Sequence, residues 1–139
     1  MSLYKAVIDT NVLYAGLYSK SGASFQVLRL IEHGWLVPQL SVTLVFEYED
    51  VLKRNQHELQ LSDSETDDVL NGLCACGEHR QIHFLWRPQL SDPKGDHVLE
   101  LAVAANGVDI VTHNLKDFRH AAQFGIRAIT PAQLYGELK

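Results

Sequence analysis

Short apolar runs rich in β-branched residues alternate along this chain with longer stretches in which apolar positions recur every three or four residues. Tyr4 to Ile8 (YKAVI) has the pattern of a buried strand and ends in the polar triplet Asp9-Thr10-Asn11. Ser24 to Glu32 predicts an amphipathic helix with Phe25, Val27, Leu28 and Ile31 inward, stopped by Gly34. Trp35 to Pro38 predicts a second strand. Ser41 is suited to cap a helix running to about Arg54, with Leu44, Val45, Tyr48, Val51 and Leu52 on its apolar side. A further helix is expected from Asp63 to Cys74 and a third strand from Gln81 to Leu85.

In the last third, Asp92-Pro93 has the form of an N-cap followed by proline at the first helical position, opening a helix to about Ala105 that Asn106-Gly107 closes. Asp109 to Thr112 predicts a fourth strand, Leu115 to Ala122 a short helix, and Arg127 to Ile129 a fifth strand. Thr130-Pro131 then caps a final helix. Strands alternating with helices imply an α/β fold in which a parallel sheet is covered on both faces. Without low-complexity tracts, repeats or a dividing linker, residues 1–139 are expected to form a single domain.

This topology tells where to look for chemistry, because open parallel sheets bind ligands beyond the carboxyl ends of strands, where strand order reverses. Two strand ends are unusually polar: Asp9-Thr10-Asn11, and Thr112-His113-Asn114 with Asp117. If the first and fourth strands are neighbours, these groups share one crevice. Each also has a plainer role as a cap or turn residue. Asp92 is accounted for as an N-cap, whereas Asp96, one turn further on, sets a second carboxylate at the same helix end. Glu47 and Glu49 flank the apolar stripe of their helix, so helical phase alone leaves either able to reach a cleft.

Composition narrows the classes. A formal charge of −5 argues against nonspecific polyanion binding, yet a carboxylate site offset by bound cations is compatible with it. Lys53, Arg54, Arg80, Arg87, Lys94, Lys116 and Arg119 are the candidates for guiding a phosphate backbone. Cys74 and Cys76 have no matching Cys/His pair, so neither a zinc site nor a disulfide framework is expected. His113 lacks a partner at metal-binding spacing, and there is no Gly-rich phosphate loop, GxSxG elbow or second aspartate after Asp9 of the kind phosphatases use. No apolar run reaches the ~20 residues of a membrane span, and Met1 to Lys5 does not resemble a secretory signal. The expectation is a soluble, cytoplasmic protein with no membrane partner.

The segments VIDTNVL (Val7 to Leu13), EYEDVLKR (Glu47 to Arg54), DPKGDHVLELA (Asp92 to Ala102) and DIVTHNLKDF (Asp109 to Phe118), in that order, resemble PIN domains. The likeness is to the bacterial branch of toxin components of toxin–antitoxin systems, the VapC-like ribonucleases. It implies a PIN-like three-layer sandwich with a central parallel sheet of about five strands flanked by helices. It further implies an endoribonuclease using Mg²⁺ or Mn²⁺. Asp9, Glu47 and Asp96 match the core acidic positions and Asp117 the fourth, with Asp9 and Asp96 as the main ligands. Glu47 is preferred to Glu49 because a Glu followed by Val-Leu and a basic residue is the family pattern.

Asn114 falls where PIN domains carry Asp or Asn, and Thr112 where they carry Ser or Thr; with Asn11 these would position water or phosphate. Gly95 departs from the frequent Asp-Asp pair, which assigns Asp92 a supporting role. The partners implied are an RNA substrate, a cognate antitoxin and a second copy of the chain. The competing expectations are a catalytically inactive PIN-like module that binds RNA or protein, a phosphoryl-accepting receiver-like or phosphatase-like domain, and a DNA flap nuclease.

Overall fold

The strands assemble into a five-stranded, wholly parallel sheet of order β3-β2-β1-β4-β5 in a computed structural model that describes residues 3–82 and 95–138. Strand β1 (Tyr4–Ile8) is central, flanked by β2 (Leu36–Leu40) and β4 (Asp109–Val111), with β5 (Ala128–Ile129) and β3 (Glu78–His79) at the edges. In register, Tyr4 faces Leu36 on one side, and Ile8 faces Val111 on the other. Strand order therefore reverses at β1, and the polar ends of β1 and β4 lie side by side.

Alternating side chains of β1 serve two cores. Val7 points into one with Ile110 and with Leu44, Tyr48 and Leu52 of α3 (Val42–Arg54) and Val98, Leu101 and Ala102 of α6 (Asp96–Ala104). Ala6 and Ile8 point into the other, with Val111, with Val27 and Ile31 of α2 (Ala23–Glu32) and with Leu134 of α7 (Pro131–Leu138). Helix layers on both faces make the expected three-layer α/β sandwich. Among the described residues no helix is long and apolar enough to cross a membrane.

Local chemistry fixes the helix ends. Ser41 Oγ accepts from Leu44 N at 3.1 Å to cap α3, and Ser62 and Glu65 form a reciprocal capping box at the start of α5 (Asp63–Cys76). Thr130 and Gln133 exchange the same pair of bonds at the start of α7, at 2.9 and 3.2 Å. Gly34 ends α2 at φ +79°, a left-handed conformation that lets Trp35 N reach back to Leu30 O at 2.9 Å.

Several elements differ from the pattern. Helix α1 (Thr10–Tyr18) begins directly at the end of β1, and a short α4 (Gln56–Leu59) joins α3 to α5. The third strand lies upstream of the expected 81–85: Gln81 and Ile82 are outside any strand, and residues 83–85 lie outside the described residues. Its hold on β2 is polar, since buried Gln39 bonds Glu78 at 3.0 Å and accepts from Arg80 Nε at 2.8 Å, while Lys5 pairs with Glu78 at 3.1 Å. The stretch from Leu115 is two 3₁₀ turns, Leu115–Phe118 and Ala121–Phe124, in place of one helix. The expected cap Asp92-Pro93, together with Arg87 and Lys94, lies outside the described residues.

Candidate active site

At the carboxyl end of β1 the backbone turns straight into α1, and Asp9 does two things there. Its Oδ1 accepts from Thr10 N at 2.9 Å, capping the helix, and its Oδ2 accepts from Thr112 Oγ1 at 2.7 Å across the β1–β4 seam. The capping role and the crevice role are therefore the same side chain in one orientation. Thr112, fully buried, also accepts from Asn114 N at 3.0 Å, so one hydroxyl joins the carboxylate to the loop after β4. Asn11 Nδ2 lies 3.4 Å from Asp9 Oδ2 and 3.5 Å from Thr112 Oγ1, and its Oδ1 accepts from His113 N at 3.2 Å. His113 turns its ring away to meet Ser24 of α2, Nε2 to Oγ 2.7 Å.

Helix α3 brings the second carboxylate. Tyr48, fully buried, donates its phenol to Ile8 O at 2.5 Å, which pins α3 against the last residue of β1. Neighbouring Glu47 then faces the crevice, where one carboxylate oxygen accepts from Thr10 Oγ1 and the other meets His97 Nε2 at 3.1 Å. A carboxylate oxygen only accepts, so Nε2 carries the proton of that bond. Glu49 points the other way and pairs with Lys53 at 3.1 Å on the outer surface. The two glutamates that helical phase could not separate thus occupy opposite settings.

The electrostatics follow from this packing. Burial raises the Asp9 pKa above the ordinary carboxylate range, against the bond from Thr112, and the nearby charge of Glu47 raises it further. Two mutually repelling oxygen donors at a strand switch point are what a hard divalent cation would relieve. Asp96 opens the described part of α6 and is 1% exposed, next to the histidine that reaches Glu47. Asp117, half-buried in the 3₁₀ turn after β4, lines a shallow cavity of about 480 Å³ with His113, Asn114, Lys116 and Thr130. Among the described residues no group of three His, Cys, Asp or Glu side chains stands close enough to enclose an ion. The donors suit an oxygen-loving cation in kind, and Asp9 with Glu47 would form the nucleus of its site.

The structure thus gathers Asp9, Thr10, Asn11, Glu47, Thr112 and Asn114, and adds one residue that the sequence pattern did not single out, His97. His97 follows Asp96 directly, which is the one local sign that it shares the site's helix end. Its other ring nitrogen, Nδ1, is buried with no hydrogen-bond partner among the described residues. Of the basic residues considered as guides, Lys53, Arg54 and Arg80 are held by carboxylates at 3.1, 2.9 and 3.1 Å, while Lys116 and Arg119 are exposed beside the loop of Asn114.

Comparison with known families matches residues 5–116 to the model of the PIN domain, a span that includes Asp9, Glu47, Asp96, Thr112 and Asn114 but ends one residue before Asp117. A search of curated proteins gave no match.

Proposed function

Because this chain belongs to the PIN domain family, we propose that it is a metal-dependent ribonuclease hydrolysing RNA phosphodiester bonds, the toxin of a toxin–antitoxin pair. PIN domains are nucleases as a rule and work with divalent metal ions, which gives the coarse activity. The observation that carries the finer proposal is the meeting of Asp9 and Glu47 in one crevice, at the strand switch point, with burial and Glu47's charge both raising the Asp9 pKa.

In this account Asp9 and Asp96 would be the main residues holding Mg²⁺ or Mn²⁺, and Glu47 and Asp117 would complete the acidic set. When bound, the ion supplies an activated water and neutralises charge on the phosphoryl oxygens. The protein's own part is orientation. Thr10 N and Thr112 Oγ1 each hold one Asp9 oxygen, which fixes the carboxylate plane. Thr10 Oγ1 and His97 Nε2 do the same for Glu47. The Asn11 and Asn114 side chains are assigned to phosphate or water, and exposed Lys116 and Arg119 to the flanking backbone of the strand. The same account carries a cytoplasmic protein that acts on RNA, pairs with a cognate antitoxin and forms homodimers.

One observation favours the alternative, a catalytically inactive PIN-like module that binds RNA or protein. Glu47 is already engaged by Thr10 and His97, and no three candidate donors stand together among the described residues. The two accounts separate in one assay: purified protein incubated with single-stranded RNA and Mn²⁺ or Mg²⁺, before and after EDTA. Cleavage that stops on chelation supports the nuclease, and cleavage that survives thorough chelation refutes the metal mechanism. Binding without cleavage across a panel of RNAs favours the inactive module.

A further inference from the structure

Helix α1 carries a line of side chains leading out of the crevice. Asn11, Tyr14 and Tyr18 stand at i, i+3 and i+7, and so share one face of the helix. Asn11 is in the crevice itself, beside Asp9 and Thr112. Tyr14 and Tyr18 stack on each other, ring centroids 5.9 Å apart and planes 17° from parallel. The Tyr14 phenol donates to Glu58 at 2.6 Å, which fixes its ring, and the stack in turn restrains Tyr18. Tyr18 remains 64% exposed, so one face of a restrained aromatic ring is turned to water.

A single exposed tyrosine is ordinary on a protein surface, and closing off a helix end is the plainer explanation of this stack. Two features point beyond that. Tyr18 lines an open groove of about 610 Å³ whose wall includes Phe25 and Lys20, the latter a cation just past the end of α1. Glu58 and Glu65 also line the groove, where they repel phosphate and favour a neutral group beside them. A flat uncharged ring over an aromatic floor, with phosphate directed toward Lys20, is the arrangement that accepts a nucleobase. From Asn11 to Tyr18 the helix rises about 10 Å, or about three nucleotides at ~3.4 Å per stacked base.

We infer that Tyr18, braced by Tyr14, is a stacking platform for an unpaired base of single-stranded RNA bound about three nucleotides from the acidic crevice. The inference rests on the ribonuclease account and names its substrate class: RNA with a free base flanking the scissile bond. Stacking on an aromatic face tolerates every base, so the platform confers preference for single strand over duplex without reading sequence.

The test compares wild type with Tyr18→Ala and Tyr18→Phe on an unstructured RNA, on the same RNA with an abasic nucleotide at successive flanking positions, and on a perfect duplex. Tyr18→Ala should raise KM on the unstructured RNA by about tenfold with kcat nearly unchanged, while Tyr18→Phe, which keeps the ring, stays within about twofold. One abasic position should raise the wild-type KM to the level of Tyr18→Ala and add nothing in that variant. Equal KM for wild type and Tyr18→Ala, with cleavage intact, overturns the platform and leaves the nuclease standing. A loss in Tyr18→Phe as large as in Tyr18→Ala overturns it too, since the hydroxyl would then be the contact. If the folded wild type neither cleaves nor binds any of the three RNAs, the nuclease account fails and the platform falls with it.

Discussion

Replacing Glu47 by Gln changes one charge in the crevice while keeping the shape of the side chain. An amide can still accept from His97 through its oxygen, and Thr10 can turn its hydroxyl to accept from the amide nitrogen, so both bonds survive as neutral ones. Losing the charge from two hydrogen bonds costs about 1 kcal/mol, reduced because the Glu47 side chain is 33% exposed. Relief of the repulsion that raises the Asp9 pKa returns part of that cost. Stability in urea should therefore change by less than ~1 kcal/mol, whereas metal-dependent RNA cleavage should fall at least ~10²-fold, about 2.7 kcal/mol of transition-state stabilisation. Glu49→Gln is the control. It loses an exposed i,i+4 pair with Lys53, of a kind that contributes little to stability, and should cleave as wild type. The reverse ranking in cleavage would refute the assignment of the α3 carboxylate, as would a Glu47→Gln variant whose loss of activity is matched by loss of folding.

Tyr48→Phe removes a fully buried bond to the Ile8 carbonyl and should lower stability by about 1–3 kcal/mol in urea; an unchanged midpoint would show that this bond does not anchor α3. A pH series tests the opposite end of the sheet. Burial alone would raise the Asp109 pKa, but bonds from Arg127, at 2.6 and 3.2 Å, and from Tyr4, at 2.5 Å, outweigh it and hold the group below its ordinary 3.8. A depressed carboxylate contributes stability that is complete above the unfolded value and is lost as pH falls through the folded one. Asp109→Asn should thus be less stable than wild type near neutral pH, by roughly 1 kcal/mol after allowance for exposed Arg127, and the gap should close as pH falls below 3.8 and through the depressed folded value. A gap that persists undiminished in acid would refute that linkage.

Where one face of an element was buried and its ends were chemically marked, the sequence pattern was sufficient. YKAVI, the Ser41 cap of α3, the Gly34 stop and the Thr130-Pro131 start all fall where the pattern puts them. Helix α1 escaped because it is wedged between both cores, with Val12 in one and Leu13 in the other, so no polar face alternates with an apolar one. Strand β3 escaped for the reverse reason: its Glu78 and His79 carry no apolar signal, and long-range bonds among Gln39, Glu78 and Arg80 fix it. The crevice residues at the ends of β1 and β4 were legible from strand-end polarity, once those strands became neighbours. The bond from His97 to Glu47 was not, since it joins two helices that are distant in sequence.

The proposed divalent ion, and its use in cutting RNA, depend on Asp96 as one of the two main ligands. Asp96 is 1% exposed at the start of the described part of α6, and Asn there nearly keeps shape while removing the charge. An ion that binds only the folded chain raises its melting temperature by mass action. The decisive measurement is the Mn²⁺-dependent rate of RNA cleavage by wild type and Asp96→Asn, with melting temperatures recorded with and without Mn²⁺ on the same preparations. Wild type should cleave and melt higher with Mn²⁺, and Asp96→Asn should fold but show neither cleavage nor most of that rise. A folded Asp96→Asn protein that keeps both the full Mn²⁺ shift and the wild-type rate would contradict that assignment.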